Sequence, residues 1–558
     1  MSKSITNQRL VFKIHSSDLR VHNWDYNLSV DYAIKNGMIV SLGDSITLRM
    51  IRRINNNNIT DKEITETKKQ LKKYRKKKDK NKISEINNKI IQQTLERDYL
   101  LIVFDSISDW NKANSKKTKL MFNNKQYVRL IGTTGGIKNN TVVFVNKDIH
   151  EELNKKLNNG RNKDIKYIPA KFESYKALAC SCSTEVTQPK KILIIKDGSK
   201  TIQDNVLRLS DDLKGGFNLE KEDNYTIEKD FADGCGMISP KLAEQWAIDL
   251  GEYHYENGTK VANYIPSGFN IRNFATKGMV GTFPYVLFGQ DEMNGNYMVQ
   301  DCWGNYVDIR EVDLILTTNM FKLWESYNSC EEFIKNCNEN GFKFCVSKIL
   351  PNKLEEVRNM NYQFLQSYEF SDEDIKELIK PTVDNIKSVI GVNGKNDNDY
   401  AKMLLFLKGI NISEKDFLNE ELNYIKALMI NKEMMKDPFI KQKIHNMIKK
   451  RIEDSKKGVI QVKGNYSIIL GDLYALCESM YGLEPKGLLK ANEFYSKTWL
   501  NKGVNEIIAF RAPMTIHNNI KKMKLVTNEK IEKYFKYINV CTIFNIYDTT
   551  MERLNGAD

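Results

Sequence analysis

The sequence predicts an α+β fold in which strands and helices occur in separate blocks. A very basic stretch at residues 60–97 has helical periodicity, whereas apolar runs broken by glycine turns dominate residues 116–322. Helical patterns return through residues 323–455, and short strands follow from residue 456 onward. Segregated blocks are typical of α+β proteins rather than of regularly alternating α/β proteins. We therefore divide the chain into residues 1–115, 116–322, 323–455 and 456–558.

Composition limits the possible partners of the chain. The 558 residues include 85 Lys and Arg against 71 Asp and Glu, which gives a net charge of +14. This surplus suits a polyanion, with nucleic acid as the first candidate, although a coding bias toward Lys, Asn and Ile would produce the same surplus. No apolar run approaches the ~20 residues of a membrane span. Residues 1–6 do not resemble a signal peptide, so we expect a cytoplasmic location and no membrane partner.

The basic stretch is predicted to form a helical hairpin. Eight of the eleven residues 68–78 are Lys or Arg, and Ile83, Ile86 and Ile90 follow at helical spacing. The polar residues 79–81 separate the two patterns and mark the tip. Two interpretations stay open at this point, a solvated helical face and an arm that contacts a nucleic-acid duplex.

Strands are predicted next at Leu100–Phe104 and Thr141–Val145. Residues 132–136, Gly-Thr-Thr-Gly-Gly, lie between these strands and lack the Gly-Lys-Ser/Thr ending of a phosphate-binding loop, so they predict a turn. Residues 233–240, Asp-Gly-Cys-Gly-Met-Ile-Ser-Pro, predict a tight turn, a strand and a helix start. Ser239 suits the N-cap and Pro240 the first helical position. The apolar face of that helix comprises Leu242, Ala243, Trp246, Ala247 and Leu250.

Helices are predicted through most of residues 325–455. Ser371 and Ser413 are candidate N-caps, and Pro381 is expected to interrupt the helix in which it lies. Strands resume at 459–462, 467–470 and 506–510. The nine cysteines lack zinc-site spacing and are expected to be reduced and mostly buried.

Several motifs follow one another in an order that resembles a known family. They are Asp233-Gly-Cys-Gly, Lys277-Gly-Met, the segment around Lys322, Gly471-Asp472, Arg511-Ala-Pro with His517, and Asn555-Gly-Ala-Asp558. The order is similar to that of the YonO-type single-chain RNA polymerases of phages and prophages. These are relatives of the eukaryotic RNA-silencing RNA-dependent RNA polymerases. The resemblance covers residues 233–558, whereas the first 100 residues carry none of it.

The resemblance implies two double-psi β-barrels, the second incomplete, joined by the helical connector. It also implies roles for four residues. Lys277 and Lys322 would face the substrate phosphates or the primer end, and Arg511 would approach the nucleotide sugar. Asp558 would be the first metal-binding aspartate of an Asp-Phe-Asp-Gly-Asp loop that holds Mg²⁺. The alternatives are surface lysines, a structural ion pair of Arg511 and a solvated terminal Asp558.

The chemistry of such a loop is clear from its residues. Closely spaced carboxylates provide the hard oxygen ligands that suit Mg²⁺, and glycine allows the sharp turn between them. The metal ions then activate a 3′-hydroxyl and neutralise the leaving pyrophosphate. The printed sequence contains only the first of these aspartates, Asp558.

The resemblance therefore implies the N-terminal part of a template-directed RNA polymerase, either DNA- or RNA-directed. Its partners would be a nucleic-acid template, the RNA product and NTPs. We expect this chain to be inactive without the remaining aspartates, which a second polypeptide could supply. The alternative is a non-catalytic nucleic-acid-binding protein that uses the basic surface alone.

Overall fold

The structure is a computed structural model with an α+β architecture. It describes residues 7–57, 59–115, 118–132, 140–390, 403–404, 406, 423–514 and 517–554. The predicted cap at Ser413, most of the glycine turn at 132–136 and Asp558 lie outside the described residues. Within them, no helix is both long and apolar enough to cross a membrane.

A mixed seven-stranded sheet, the first sheet, forms the N-terminal part of the protein. In spatial order its strands are Asp25–Tyr26, Leu120–Phe122, Lys125–Ile131, Thr141–Asn146, Leu95–Val103, Gln8–His15 and Ile39–Gly43. The strands predicted at 100–104 and 141–145 are confirmed, and they pair antiparallel with Leu101 opposite Val143. The helices around the sheet are Ser16–Val21, Val30–Lys35, Ile46–Ile54, Ile107–Ala113, Lys147–Leu157 and Pro169–Leu178.

The predicted helical hairpin is confirmed and is called the arm below. Its helices are Asp61–Lys77 and Lys80–Thr94. The first begins with a reciprocal capping box between Thr60 and Glu63. Lys78 adopts a left-handed conformation at the tip, and the Asp79 side chain caps the second helix. The arm is inserted before strand Leu95–Val103, so its root lies beside the first sheet.

A second mixed sheet of seven strands contains the central motifs. In spatial order its strands are Thr184–Glu185, Cys345–Ile349, Gly268–Asn273, Thr276–Thr282, Cys235–Ile238, Leu314–Thr317 and Ile192–Ile195. Helices Pro240–Asp249, Tyr285–Asp291 and Cys330–Asn340 accompany it, with short 3-10 turns at Ile309–Glu311 and Trp324–Ser326. The Ser239 cap is confirmed, because its hydroxyl accepts a hydrogen bond from the backbone N–H of Leu242.

Four two-stranded pairs extend from the main sheets. The longest, called the ribbon below, pairs Ser199–Asp211 with Phe217–Asp230. The others pair Tyr253–Glu256 with Thr259–Ala262, Met298–Gln300 with Tyr306–Asp308, and Val357–Asn359 with Gln461–Lys463. The last pair corrects an expectation, because the strand predicted at 459–462 pairs with the connector rather than with the sheet that follows.

The connector is mainly helical where it is described, but it also contributes strand Cys345–Ile349 to the second sheet and strand Val357–Asn359 to a two-stranded pair. Its helices are Gln363–Gln366, Asp372–Ile390, Asn423–Ile430 and Pro438–Lys456, with a 3-10 segment at Lys432–Lys436. Ser371 caps the second helix as predicted, by accepting from the N–H of Asp374. Pro381 does not interrupt that helix, contrary to expectation. The proline ring is exposed, and its neighbour Thr382 is buried and accepts a hydrogen bond from the N–H of Gln461, which holds the helix in place.

A five-stranded third sheet closes the described chain. In spatial order its strands are Ile468–Leu470, Cys541–Phe544, Glu493–Tyr495, Ile520–Leu525 and Glu506–Phe510. Its helices are Leu473–Met480, Lys497–Leu500, Glu529–Tyr534 and Thr550–Arg553, with a 3-10 turn at His517–Asn519. The double-psi barrels, and the domain limits at residues 115, 322 and 455, stay predictions. The first sheet itself includes strands on both sides of residue 115.

The second and third sheets share one hydrophobic core. Met237 and Ile315 of the second sheet are buried in the same cluster as Leu470, Leu473 and Ile543 of the third sheet. Two glycines permit the close approach. A Cβ on Gly471 would lie 2.3 Å from the carbonyl oxygen of Phe231, and a Cβ on Gly281 would lie 2.6 Å from a methyl group of Leu473. The motifs of the two sheets are therefore held together by core packing.

Candidate functional site

The Asp233-Gly-Cys-Gly turn lies against the start of the strand that carries Lys277. Strands Cys235–Ile238 and Thr276–Thr282 run parallel, with Cys235 opposite Met279. The N–H of Met279 donates to the carbonyl of Gly234 over 2.9 Å. Gly278 has φ +143°, and a Cβ there would lie 2.3 Å from the Gly234 oxygen. Only glycine fits this contact, which explains the Lys-Gly-Met sequence.

Lys277 and Lys322 lie on neighbouring backbone segments. Thr276 and Phe321 form an antiparallel bridge. The N–H of Lys277 donates to the carbonyl of Met320, and the N–H of Lys322 donates to the carbonyl of Ala275. The Lys277 side chain is exposed and Lys322 is partly buried. Two motifs separated by more than forty residues thus bring two cationic side chains to one end of the second sheet.

Carboxylates gather at the same end of the sheet. Asp197 follows strand Ile192–Ile195, and its Oδ2 accepts hydrogen bonds from the Thr318 hydroxyl (2.5 Å) and the Asn319 N–H (2.7 Å). The side-chain amide of Asn319 donates to Asp230 over 3.1 Å. Burial is the main cause that raises the pKa of Asp230 above its usual value, and the carboxylates of Asp197 and Asp233 raise it further. This end of the sheet therefore carries both signs of charge.

The base of the ribbon holds the segment that leads toward Asp558. The Lys229 side chain is 1% exposed, and its Nζ donates to the backbone carbonyl of Asp548 over 2.6 Å. On the other ribbon strand, Asp204 accepts from Arg553 (2.5 Å) and from the Thr549 hydroxyl (2.5 Å). Since Asp230 is the last residue of the ribbon, these contacts connect helix Thr550–Arg553 to the end of the sheet that carries Asn319.

The Gly471-Asp472 motif packs against Phe231, the residue that follows the ribbon. Asp472 is fully buried and caps helix Leu473–Met480 by accepting from the N–H groups of Tyr474 and Ala475. Its second oxygen accepts from the N–H of Leu488 over 2.9 Å. Burial raises the pKa of Asp472 to about 6. These contacts identify Asp472 as a structural carboxylate that orders the turn after the strand.

Arg511 lies at the end of a strand of the third sheet. It follows strand Glu506–Phe510, and its side chain is exposed. The turn that contains it packs on the connector, where the Phe510 ring lies 5.0 Å from that of Phe364 and the Met514 N–H donates to Gln363. Asp558 lies outside the described residues. The structure thus places Lys277 beside Lys322, and it places Arg511 in the turn after strand Glu506–Phe510.

Within the described ranges, no group of three or more His, Cys, Asp or Glu side chains could hold a metal ion. The two oxygens of Asp197 differ, because Oδ2 is bonded and Oδ1 is buried without a hydrogen-bond partner among the described groups.

Sequence reasoning missed the residues that join the motifs. Asp197, Lys229 and Asn319 make the connecting contacts, but each stands alone in the sequence. One signal was available for Asp197, since the apolar run Ile192–Ile195 ends at Lys-Asp-Gly, which is typical of a strand followed by a turn. Lys229 had no comparable signal, because its burial depends on helix Thr550–Arg553 more than 300 residues later.

Comparison with known proteins supports the family resemblance and extends it into the first 100 residues, where no motif indicated it. The family model for RNA dependent RNA polymerase matches residues 47–545. The chain is also 25% identical over 429 residues to the DNA-directed RNA polymerase YonO of Bacillus phage SPbeta. That match covers 74% of this chain and 45% of the relative, so the chain spans less than half the length of that polymerase. Because the family model covers most of the chain, the protein belongs to the RNA dependent RNA polymerase family.

Proposed function

We propose that the protein forms part of a template-directed RNA polymerase that transfers nucleotides from NTPs to an RNA 3′-hydroxyl. One observation carries the proposal. The motifs at residues 233–239, 277–279, 319–322 and 471–472 are distant in the sequence, and contacts link them to one another and to residues 548–553. Convergence of separate motifs on one place is expected of a catalytic centre and has no evident purpose in a purely structural protein.

In this proposal the two lysines supply fixed positive charge to the phosphates. An exposed lysine at a strand start, held by backbone bonds on both sides, is suited to this role. The rigid position matters because a charge that is already in place needs no reorganisation when charge develops on the leaving pyrophosphate. Arg511 would hold the nucleotide sugar, since a guanidinium can donate two parallel hydrogen bonds and favour a 2′-hydroxyl.

Mg²⁺ enters the proposal through Asp558. When bound, the metal would activate the 3′-hydroxyl and neutralise the pyrophosphate. A polypeptide of the printed 558 residues contains only Asp558 of the three aspartates. We expect it to need the rest of the motif, on the same chain or on a second polypeptide, before it extends RNA.

A templated extension assay tests these roles. It compares the 558-residue polypeptide with a version joined to, or mixed with, a segment that supplies the remaining aspartates. We expect RNA synthesis only in the second case. There, Asp558→Ala should abolish synthesis with little loss of nucleic-acid binding, and Arg511→Ala should reduce the preference for ribonucleotides over deoxyribonucleotides.

The same assay tests Lys277 separately. Lys277→Ala should lower kcat by about 10²-fold or more, because loss of one preorganised electrostatic contact typically has this effect. Lys241→Ala, which removes an exposed lysine on helix Pro240–Asp249, is the matched control and should leave kcat unchanged. Equal rates for the two variants would contradict the role of Lys277. Full-rate synthesis with Asp558→Ala would contradict the catalytic assignment as a whole.

The second candidate function is nucleic-acid binding without catalysis, which the net charge of +14 favours. Both functions require binding that weakens steeply between about 50 and 200 mM salt, because phosphate contacts release counterions. The extension assay discriminates between them. A cytoplasmic location, where NTPs and template are available, belongs to both proposals.

A further inference from the structure

The positive charge of the arm is concentrated at its tip. From Lys68 to Lys82 the sequence contains ten Lys or Arg residues and a single acidic residue, Asp79. The rest of the two helices, residues 61–67 and 83–94, contains two basic and four acidic residues. A helical face that is merely solvated needs no such gradient. A gradient along the arm indicates that its outer part meets an anionic partner.

Packing within the arm leaves these cations in solvent. Ile64 and Leu71 of the first helix and Ile86 of the second are buried, so the helices contact each other through apolar side chains. Lys73, Lys77 and other described Lys and Arg side chains of the tip are exposed. Two tip lysines have acidic neighbours at helical spacing, Lys69 with Glu66 and Lys82 with Glu85. Such exposed pairs contribute little stability, so these lysines can exchange partners.

The root of the arm is fixed by buried ion pairs. Arg9, whose side chain is 2% exposed, bonds to Asp61 at the start of the first helix over 2.5 Å. Glu96 follows the second helix and accepts from Arg52 over 2.5 Å, with Arg9 at 4.0 Å. Asp44 completes the cluster, 2.7 Å from Arg52. Buried Arg9 therefore lies within 4.0 Å of carboxylates at both ends of the arm, and Arg52 also holds the Glu96 end.

The helix that carries Arg52 also connects the arm root to the second sheet. Arg52 belongs to helix Ile46–Ile54, and on that helix Arg49 donates to the carbonyl of Ser183 and Arg53 pairs with Glu185 over 2.6 Å. Glu185 is in the edge strand of the second sheet. The arm is thus mounted on the sheet that carries Lys277. A fixed mounting allows a charged tip to orient a bound partner relative to that sheet.

We propose that the tip of the arm, residues 68–82, binds the phosphate backbone of a nucleic-acid duplex. The first helix has 17 residues, about 25 Å, so the tip extends well away from its root. A duplex carries one negative charge per about 1.7 Å of axis, a density that suits the clustered lysines. The tip has one aromatic residue, half-buried Tyr74, and therefore no platform on which unpaired bases could stack. This inference rests on the proposed function only in taking nucleic acid as the anionic partner.

The test compares the full chain with a tip variant and a matched control. The tip variant carries Lys73→Gln, Arg75→Gln, Lys77→Gln and Lys80→Gln, which keep helix propensity and remove four charges. The control variant neutralises four exposed lysines of helix Pro438–Lys456 by the same change, namely Lys441→Gln, Lys443→Gln, Lys449→Gln and Lys450→Gln. Circular dichroism verifies that helix content is unchanged in both variants.

Binding of a 20-base-pair RNA duplex, a DNA duplex of the same length and a single strand is measured from about 50 to 200 mM salt. We expect the tip variant to bind both duplexes at least about tenfold more weakly at low salt. The magnitude of its slope of log K against log salt should fall by up to about 3.6, since each of the four lost phosphate contacts contributes about 0.9. The control slope should change by less than about 1.

Each other outcome counts against a specific claim. An unchanged slope in the tip variant, with normal duplex binding by the unmodified chain, overturns the arm assignment and leaves the proposed function intact. A larger loss for the single strand than for the duplexes overturns the choice of a duplex. If the unmodified chain binds no nucleic acid at low salt, the arm assignment and the proposed function both fail.

Discussion

Gly278→Ala should destabilise the second sheet more than most other substitutions that add one methyl group. The new Cβ would lie 2.3 Å from the Gly234 carbonyl oxygen and 3.0 Å from two atoms of Met320. A backbone oxygen in a paired strand cannot rotate away as a long side chain can. Relief of the contact therefore requires the strands to separate by nearly an ångström. That movement would break the bond from the Met279 N–H to the Gly234 carbonyl.

The size of the effect follows from three contributions. A φ of +143° is unfavourable for alanine and costs about 1–3 kcal/mol. Overpacking against a fixed backbone adds about 1–3 kcal/mol, and the lost hydrogen bond adds about 1 kcal/mol. Reduced entropy of the unfolded chain offsets about 0.4–1 kcal/mol. The net expectation is a local destabilisation of about 2–6 kcal/mol.

Hydrogen exchange measured by mass spectrometry is the appropriate assay, because a chain of this size does not unfold in two states. Peptides that cover 232–238 and 276–282 should exchange much faster in Gly278→Ala, whereas peptides of the first sheet should not change. Gly258→Ala is the control, since Gly258 also has positive φ (+80°) but no atom within 4 Å of an added Cβ. If both variants exchange alike, the close approach at Gly278 is not what holds these strands together.

Two further predictions concern ionisable groups. Burial raises the pKa of Asp472 to about 6 from 3.8, so its favourable contribution is complete below pH 4 and is lost as pH rises through 6. Asp472→Asn removes this titration, so the difference in hydrogen-exchange protection of helix Leu473–Met480 between the variant and the unmodified chain, corrected for intrinsic exchange, should shrink as pH rises from 4 to 7; a constant difference would contradict the burial argument. Arg553→Ala removes the pair with Asp204, which is worth about 1 kcal/mol or less because Arg553 is partly exposed. In Arg553→Ala the rate of proteolytic cleavage should rise at the base of the ribbon but not at its tip. Lys214→Ala, near the tip, should leave the cleavage rate at the base unchanged.

Sequence patterns correctly predicted the elements that depend on residues close to one another in the chain. The arm follows from helical spacing and a polar tip, and the start of helix Pro240–Asp249 follows from Ser239 and Pro240. The position of Lys277 beside the Asp233 turn could be expected only from the family resemblance. Its physical cause, the absence of a Cβ at Gly278, becomes visible only when the opposing strand is known.

Other features depend on tertiary contacts that sequence patterns do not encode. Strand Gln8–His15 lies inside the first sheet because it pairs with strands that begin 31 and 87 residues later. Helix Asp372–Ile390 continues through Pro381, and its buried Thr382 accepts a hydrogen bond from Gln461, which is far along the chain. The contacts of Asp197 and Lys229 likewise depend on loops that meet only after the sheets assemble.

The glycine contacts between the second and third sheets affect how this chain can be divided. A piece that ends at residue 390 would expose the surface around Gly281 and Phe231, and a piece that begins at residue 423 would expose Leu470 and Leu473. Each piece would tend to aggregate alone, whereas the two together could reassemble without a covalent link. A substitution that changes side-chain size on one side of the contact between the two sheets should accordingly be accompanied by a compensating substitution on the other side. The two sheets should therefore be inherited as one unit.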